Sequence, residues 1–144
     1  MKVTVELSPE VKEPYAVIHA DRMSEEIQSL LDLFMAGDAP LTAWRGEEIL
    51  ILKPKDIYLV RIENGETILY GQKEHYRSRK RLYELSAQLG GGFMQISRSA
   101  LVNVSYMDKI EPGFGGMLLL KLKNGLTEHV SRTYLPAFRR YLGL

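Results

Sequence analysis

Between Ile57 and Gly71 the chain reads IYLVRIENGETILYG, and this stretch limits the fold more than any other. Apolar and polar residues alternate on both sides of Glu63-Asn64-Gly65-Glu66. Two strands joined by a tight turn follow from that pattern, because side chains of a strand alternate between its two faces. Asn-Gly marks the turn, since it tolerates the left-handed backbone that such turns require. A chain built around this hairpin has to be rich in strands.

The remaining sequence agrees. LTAWRG and EEILILK before the hairpin read as short strands, as do MDKIEP, MLLLKL and LTEHV after it. Gly113 to Gly116 and Lys123-Asn124-Gly125 supply turns. Leu82, Leu85 and Leu89 form an apolar stripe at helical spacing, which glycines then end. In the closing TYLPAFRRYLGL, Pro136 fits the first turn of a short helix. The body, residues 41–144, is therefore expected to be mainly β, with a linking helix and a C-terminal helix. Residues 1–40 read as a short β-β-α arm. Val3, Val5 and Leu7 alternate, YAVIHA from Tyr15 to Ala20 is a second strand candidate, and Ile27, Leu30, Leu31 and Phe34 share a helical face. Ser24 is placed to cap that helix and Gly37 to stop it. The arm is too short for a doubly wound phosphoacceptor domain. Its apolar stripe has to be covered by the body or across a dimer.

Composition removes several functions. With 45% apolar and 26% charged residues the chain is globular rather than disordered. There is no cysteine, so disulfides, thiolate metal sites and cysteine nucleophiles are excluded. His19, His75 and His129 are scattered, so no metal site is expected. No P-loop, nucleophile elbow or cofactor cradle occurs. Asp108 and Glu111 resemble a carboxylate pair, yet the spacing equally suits a solvated strand edge. No catalytic residue and no cofactor is expected, and the sequence has neither a signal-peptide run nor a membrane-spanning run, so a cytoplasmic location is expected.

The net charge of +1 conceals an asymmetry. Residues 1–38 hold three Lys/Arg and eight Asp/Glu, and the rest holds sixteen and ten, giving −5 and +6. A basic body behind an acidic arm points to a polyanion. The densest basic run is QKEHYRSRKRLY, with Arg77, Arg79, Lys80 and Arg81; it reads either as phosphate contacts or as a solvated face. Two Ser-Arg units sit at element boundaries. One is Ser97-Arg98-Ser99 inside the apolar FMQISRSALVNVSYM; the other is Ser131-Arg132 before the last helix. Arg98 is either a structural tie to a carboxylate such as Asp108 or a planar fork turned toward phosphate or guanine.

FMQISRSALVNVSYMDKIEP, a strand hairpin and then VSRTYLPAFRRYL together closely resemble the LytTR family of DNA-binding domains. Phe93, Ser97, Arg98, Ser99, Leu101, Val102, Asn103, Ile110, Ser131, Arg132 and Tyr134 fit the family pattern. The upstream PKDIYLVRIENGETILYG matches its opening strands and LYELSAQLG its linking helix, so the resemblance spans about residues 41–144. It implies a β-rich fold whose sheet-edge loops enter major grooves of promoter DNA. The implied contacts are Asn64, Gly65, Glu66, Ser97, Arg98 and Arg132. Ser97 stands where many members have histidine. The implied function is transcriptional regulation through double-stranded DNA, as a homodimer on paired half-sites; the alternative is a non-enzymatic protein-interaction module. In place of the receiver domain of many members this chain has the acidic arm, which suggests the small stand-alone type often found beside a small membrane protein.

Overall fold

The computed structural model describes residues 1–36 and 40–144, apart from the side chains of 32–36. The expected helix stop at Gly37 and the side chain of Phe34 lie outside the described residues. Among the described residues ten strands and three α-helices follow in the order α1 (Glu25–Ala36), β1 (Leu41–Arg45), β2 (Glu48–Leu52), β3 (Leu59–Glu63), β4 (Glu66–Tyr70), β5 (His75–Ser78), α2 (Leu82–Leu89), β6 (Phe93–Ser97), β7 (Ala100–Asn103), β8 (Met107–Pro112), β9 (Leu118–Leu122), β10 (Thr127–Val130) and α3 (Leu135–Leu142). The first seven strands form one antiparallel sheet in the order β2-β1-β5-β4-β3-β7-β6; the last three form a second, β10-β9-β8.

Alternation along the central strands explains the layering. Val60 and Leu101 face one side of the large sheet, where they meet Leu82, Leu85 and Leu89 of α2. Their chain neighbours Leu59, Ala100 and Val102 face the other side, against Leu120 and Leu122 of the small sheet and Phe138 of α3. Strands buried on both faces in this way read as unbroken apolar runs, as ALV does. The helix caps also follow local chemistry. Ser24 Oγ accepts from Ile27 N–H at 3.4 Å at the start of α1, and Pro136 lies in the first turn of α3.

Asn103, which closes the apolar run of β7, is a latch. It is only 5% exposed. Its Nδ2 donates to the Ile57 carbonyl at 2.9 Å, and its Oδ1 accepts from Ser105 N–H at 3.1 Å. Tyr58 and Tyr106 stack beside it with ring centroids 3.7 Å apart. A buried amide with this many partners locks the entry to β3 onto the exit of β7.

Two expectations need correction. Residues 2–7 and 15–20 form no strand; of the three elements expected in the arm, only α1 is present. A strand exists only when a neighbour takes its N–H and C=O groups, and a lone two-stranded ribbon is marginal. The basic run reaches a helix start only in part. Arg77 is in β5, Arg79 and Lys80 follow it in a connecting stretch, and only Arg81 stands at the cap of α2. His19, expected within an apolar strand, is exposed and in no strand.

Candidate nucleic-acid interface

One end of the large sheet collects most of the residues singled out by sequence. Strand register shows why. Glu63 opposite Glu66 closes the β3–β4 hairpin. Asn64 and Gly65 form its tip with φ of +52° and +78°, the left-handed pair of a type I′ turn. Thr67 pairs with Ser78, so the stretch Arg79-Lys80-Arg81 leaves the sheet at this same end. Arg61 pairs with Ala100, which brings the β6–β7 turn, Arg98-Ser99, alongside. Ile62 N–H donates to the Ser99 carbonyl at 2.8 Å and fixes that turn against β3.

The second Ser-Arg unit arrives from the other sheet. Ser131 N–H donates to the Ile96 carbonyl at 2.9 Å. Arg98 lies two residues beyond Ile96 and Arg132 one residue beyond Ser131, so a single bond between sheets brings both arginine turns together. Both arginines are exposed, and among the described residues neither makes an ion pair. Arg98 is thus not tied to Asp108.

The serines shape these turns. Ser97 Oγ accepts from Ser99 N–H at 3.2 Å and lies 3.4 Å from Ser99 Oγ. The Ser131 carbonyl accepts from the N–H groups of Tyr134 and Leu135, both at 3.0 Å, which launches α3. A hydroxyl that bonds the backbone two residues on holds a turn without glycine, leaving the intervening arginine at the tip.

The basic run divides. Arg77 meets Glu66 at 3.4 Å. The Arg79 guanidinium lies 4.3 Å from the centroid of the Trp44 ring. Lys80 Nζ donates to Gln88 Oε1 at 2.6 Å. Arg81 uses its backbone N–H, which donates to Glu84 Oε1 at 3.2 Å, while its side chain is exposed. All four remain on the surface.

The arginine that does tie the molecule together is one that sequence spacing does not single out. Arg61 Nε donates to Glu128 Oε2 at 2.5 Å, Nη2 to the Thr127 carbonyl at 2.8 Å, and Nη1 to Glu63 Oε1 at 3.1 Å. The Tyr70 hydroxyl also donates to Glu63 Oε1, at 2.6 Å. That hydrogen bond is the main reason the Glu63 carboxyl is held below the usual carboxylate range, with Arg61 adding to it and burial opposing it. The cluster joins the large sheet to β10 just beneath the arginine turns. Sequence marks Gly113 to Gly116 as a turn but gives no sign of where it lies. A Cβ at Gly116 would stand 3.5 Å from Arg132 Cδ, so this loop flanks Arg132. Among the described residues no group of three His, Asp or Glu side chains could hold a metal ion, and no helix is long and apolar enough to cross a membrane.

Fold and site thus define a β-rich body that presents arginines on turns at one sheet end. Comparison with known proteins gives this class its family. The family described as LytTr DNA-binding domain matches residues 47–143, and the chain belongs to it. Along its whole length the chain is 27% identical to an uncharacterized HTH-type transcriptional regulator of Staphylococcus aureus strain MSSA476, over 146 residues that take in 99% of that protein. A relative from the bovine strain RF122 matches with the same identity and coverage. A solved structure, the LytTr DNA-binding domain of a putative methyl-accepting/DNA response regulator from Bacillus cereus, shares the fold with a TM-score of 0.69 and 23% identity, covering 75% of this chain and all of that one.

Proposed function

We propose that this chain is a sequence-specific transcriptional regulator that binds promoter DNA through the sheet end carrying Arg98 and Arg132. The observation that carries the reading is the convergence of two exposed arginines, without ion-pair partners among the described residues, through the Ser131–Ile96 hydrogen bond. A planar fork on a held turn suits guanine O6 and N7 in a major groove. Ser97, Ser99 and Ser131 orient those turns. The Asn64-Gly65-Glu66 tip enters the same or the next groove. Arg77, Arg79, Lys80 and Arg81 lie along its margin as phosphate contacts, with Arg81 the freest of them. The body charge of +6 favours the polyanion.

The proposed protein acts in the cytoplasm without catalysis, as a homodimer whose copies take paired half-sites. Its proposed partners are double-stranded DNA, a second copy and a small membrane protein encoded nearby. A gel shift with the upstream DNA of its own gene, repeated across a salt series, tests the reading. Counterion release makes the affinity for DNA fall steeply with salt. Equal affinity for upstream and random DNA, or binding that ignores salt, would count against it.

A further inference from the structure

Residues 2–7 and 15–20 have the alternation of strands yet join no sheet. Val3, Val5 and Leu7 are 79%, 77% and 93% exposed. Single exposed apolar residues are ordinary, but a strand-patterned run of them is not. The backbone is equally unsatisfied: among the described residues, the one backbone–backbone hydrogen bond within 1–20 runs from Val11 N–H to the Ser8 carbonyl at 3.2 Å. Beside this arm lies an open, mainly apolar groove of about 700 Å³, lined by Ala16, Ile18, Ala20, Met23, Ile27 and Leu31 among others. Its floor is α1, which rests on α2 and the Gly90–Gly92 turn of the body.

We propose that a second copy of the chain completes this half-built core. Residues 2–7 of one copy form an antiparallel strand against residues 15–20 of the other, and the contact repeats about a two-fold axis. One register pairs the large apolar side chains on one face and one pair of opposite charges, at the cost of setting Glu6 opposite Val17 on the other face. Placing Val5 opposite Ile18 sets Val3 against Ala20 and Leu7 against Ala16, so all three large side chains enter the groove above Ile27 and Leu31. The same register sets Lys2 opposite Asp21. Thr4 and His19 then meet on the solvent face. The arm carries −5, so an anionic occupant such as DNA or an acidic lipid surface is repelled; a second copy's arm carries the same overall charge, but the two segments that would meet are not anionic, since 2–7 holds Lys2 and Glu6 and 15–20 holds no Lys, Arg, Asp or Glu. Within one chain Pro9, Pro14 and the Ser8–Val11 turn separate the two segments, which do not pair there.

The inference rests on the self-association proposed above, and the test separates the two. The chain has no cysteine, so Thr4→Cys and His19→Cys can each be introduced alone in the full-length protein. Opposed residues of an antiparallel pair have Cα atoms about 4.5–5.5 Å apart, within disulfide reach. An oxidised mixture of the two variants is expected to give a covalent dimer that neither variant gives alone. Val5→Lys is expected to weaken the dimer by on the order of tenfold or more in sedimentation, with an unchanged melt at protein concentrations where the chain is monomeric, because Val5 is exposed in the single chain. A chain that stays monomeric overturns both self-association and this pairing. A dimer that survives Val5→Lys, or whose mixture fails to cross-link, overturns the pairing alone. Gel shifts on the same samples report DNA binding separately.

Discussion

The backbone N–H of Ser131 donates to the carbonyl of Ile96 at 2.9 Å, which sets the start of α3 beside the β6–β7 turn. This bond is what turns two separate Ser-Arg units into one surface. It joins β6 of the large sheet to the residue that follows β10 of the small one, so the spacing between Arg98 and Arg132 depends on how the sheets pack and not on either turn alone.

If both arginines read bases, their removal has a distinct signature. Arg98→Ala or Arg132→Ala is expected to cost about 1–3 kcal/mol of discrimination between operator and random DNA. The melting temperature should not move, because both side chains are exposed and make no ion pair among the described residues. Paired titrations and thermal melts check this; a lower melt with an unchanged specificity ratio would make these arginines structural.

Arg61 should behave in the opposite way. Its side chain and that of Glu128 are 23% and 18% exposed, and their pairing joins the two sheets. Arg61→Ala leaves Glu128 without its partner and is expected to destabilise the fold by roughly 1–3 kcal/mol. Specific and random DNA binding should fall together. Denaturant unfolding of Arg61→Ala, Glu128→Ala and the double variant would show a coupling energy between them.

The basic run should divide as its contacts do. Arg81→Gln is expected to lower the salt slope of DNA binding by about one unit while weakening all sequences alike. Arg79→Ala removes the guanidinium from the Trp44 ring and is expected to cost roughly 0.5–1 kcal/mol of stability. Salt-series affinities beside urea melts separate a phosphate contact from a packing contact. An unaltered slope in Arg81→Gln would leave that side chain a solvated charge.

Acid should loosen the Glu63 cluster. The carboxyl is held below its ordinary range chiefly by the Tyr70 hydroxyl. A group whose folded pKa is depressed contributes stability above its unfolded value, about 4.3 for glutamate, and that contribution is lost as the pH falls through the folded value. Glu63→Gln is therefore expected to lose stability at neutral pH and to flatten the stability–pH curve in acid. Melting temperatures from pH 7 downward for both proteins check the sign. Parallel curves would show that Glu63 has no differential pairing in the folded state.

Removing residues 1–38 should leave the body folded and more monomeric. Among the described residues, neither large core cluster includes one of that segment. Sedimentation of the truncated chain beside a thermal melt tests this, and a folded truncation that dimerises as before would place the contact elsewhere.

Sequence alone determined what depends on neighbours along the chain. Asn64-Gly65 specified its turn because left-handed backbone is a property of the residues themselves. The alternation of ETILYG, the stripe of Leu82, Leu85 and Leu89, and Pro136 at a helix start placed their elements for the same local reason. The family motif singled out Arg98 and Arg132. Only tertiary structure decided what depends on register and partners. It made Arg61, rather than Arg98, the tie between sheets, because Glu128 lies far along the sequence and meets Arg61 only once β10 packs on β3. It placed Arg77 in a strand, opposite Ile68. It also left the alternating segments 2–7 and 15–20 outside both sheets. Apolar alternation makes a segment fit to be a strand, but the hydrogen bonds that make it one must come from a neighbour, and no sequence pattern says where that neighbour is.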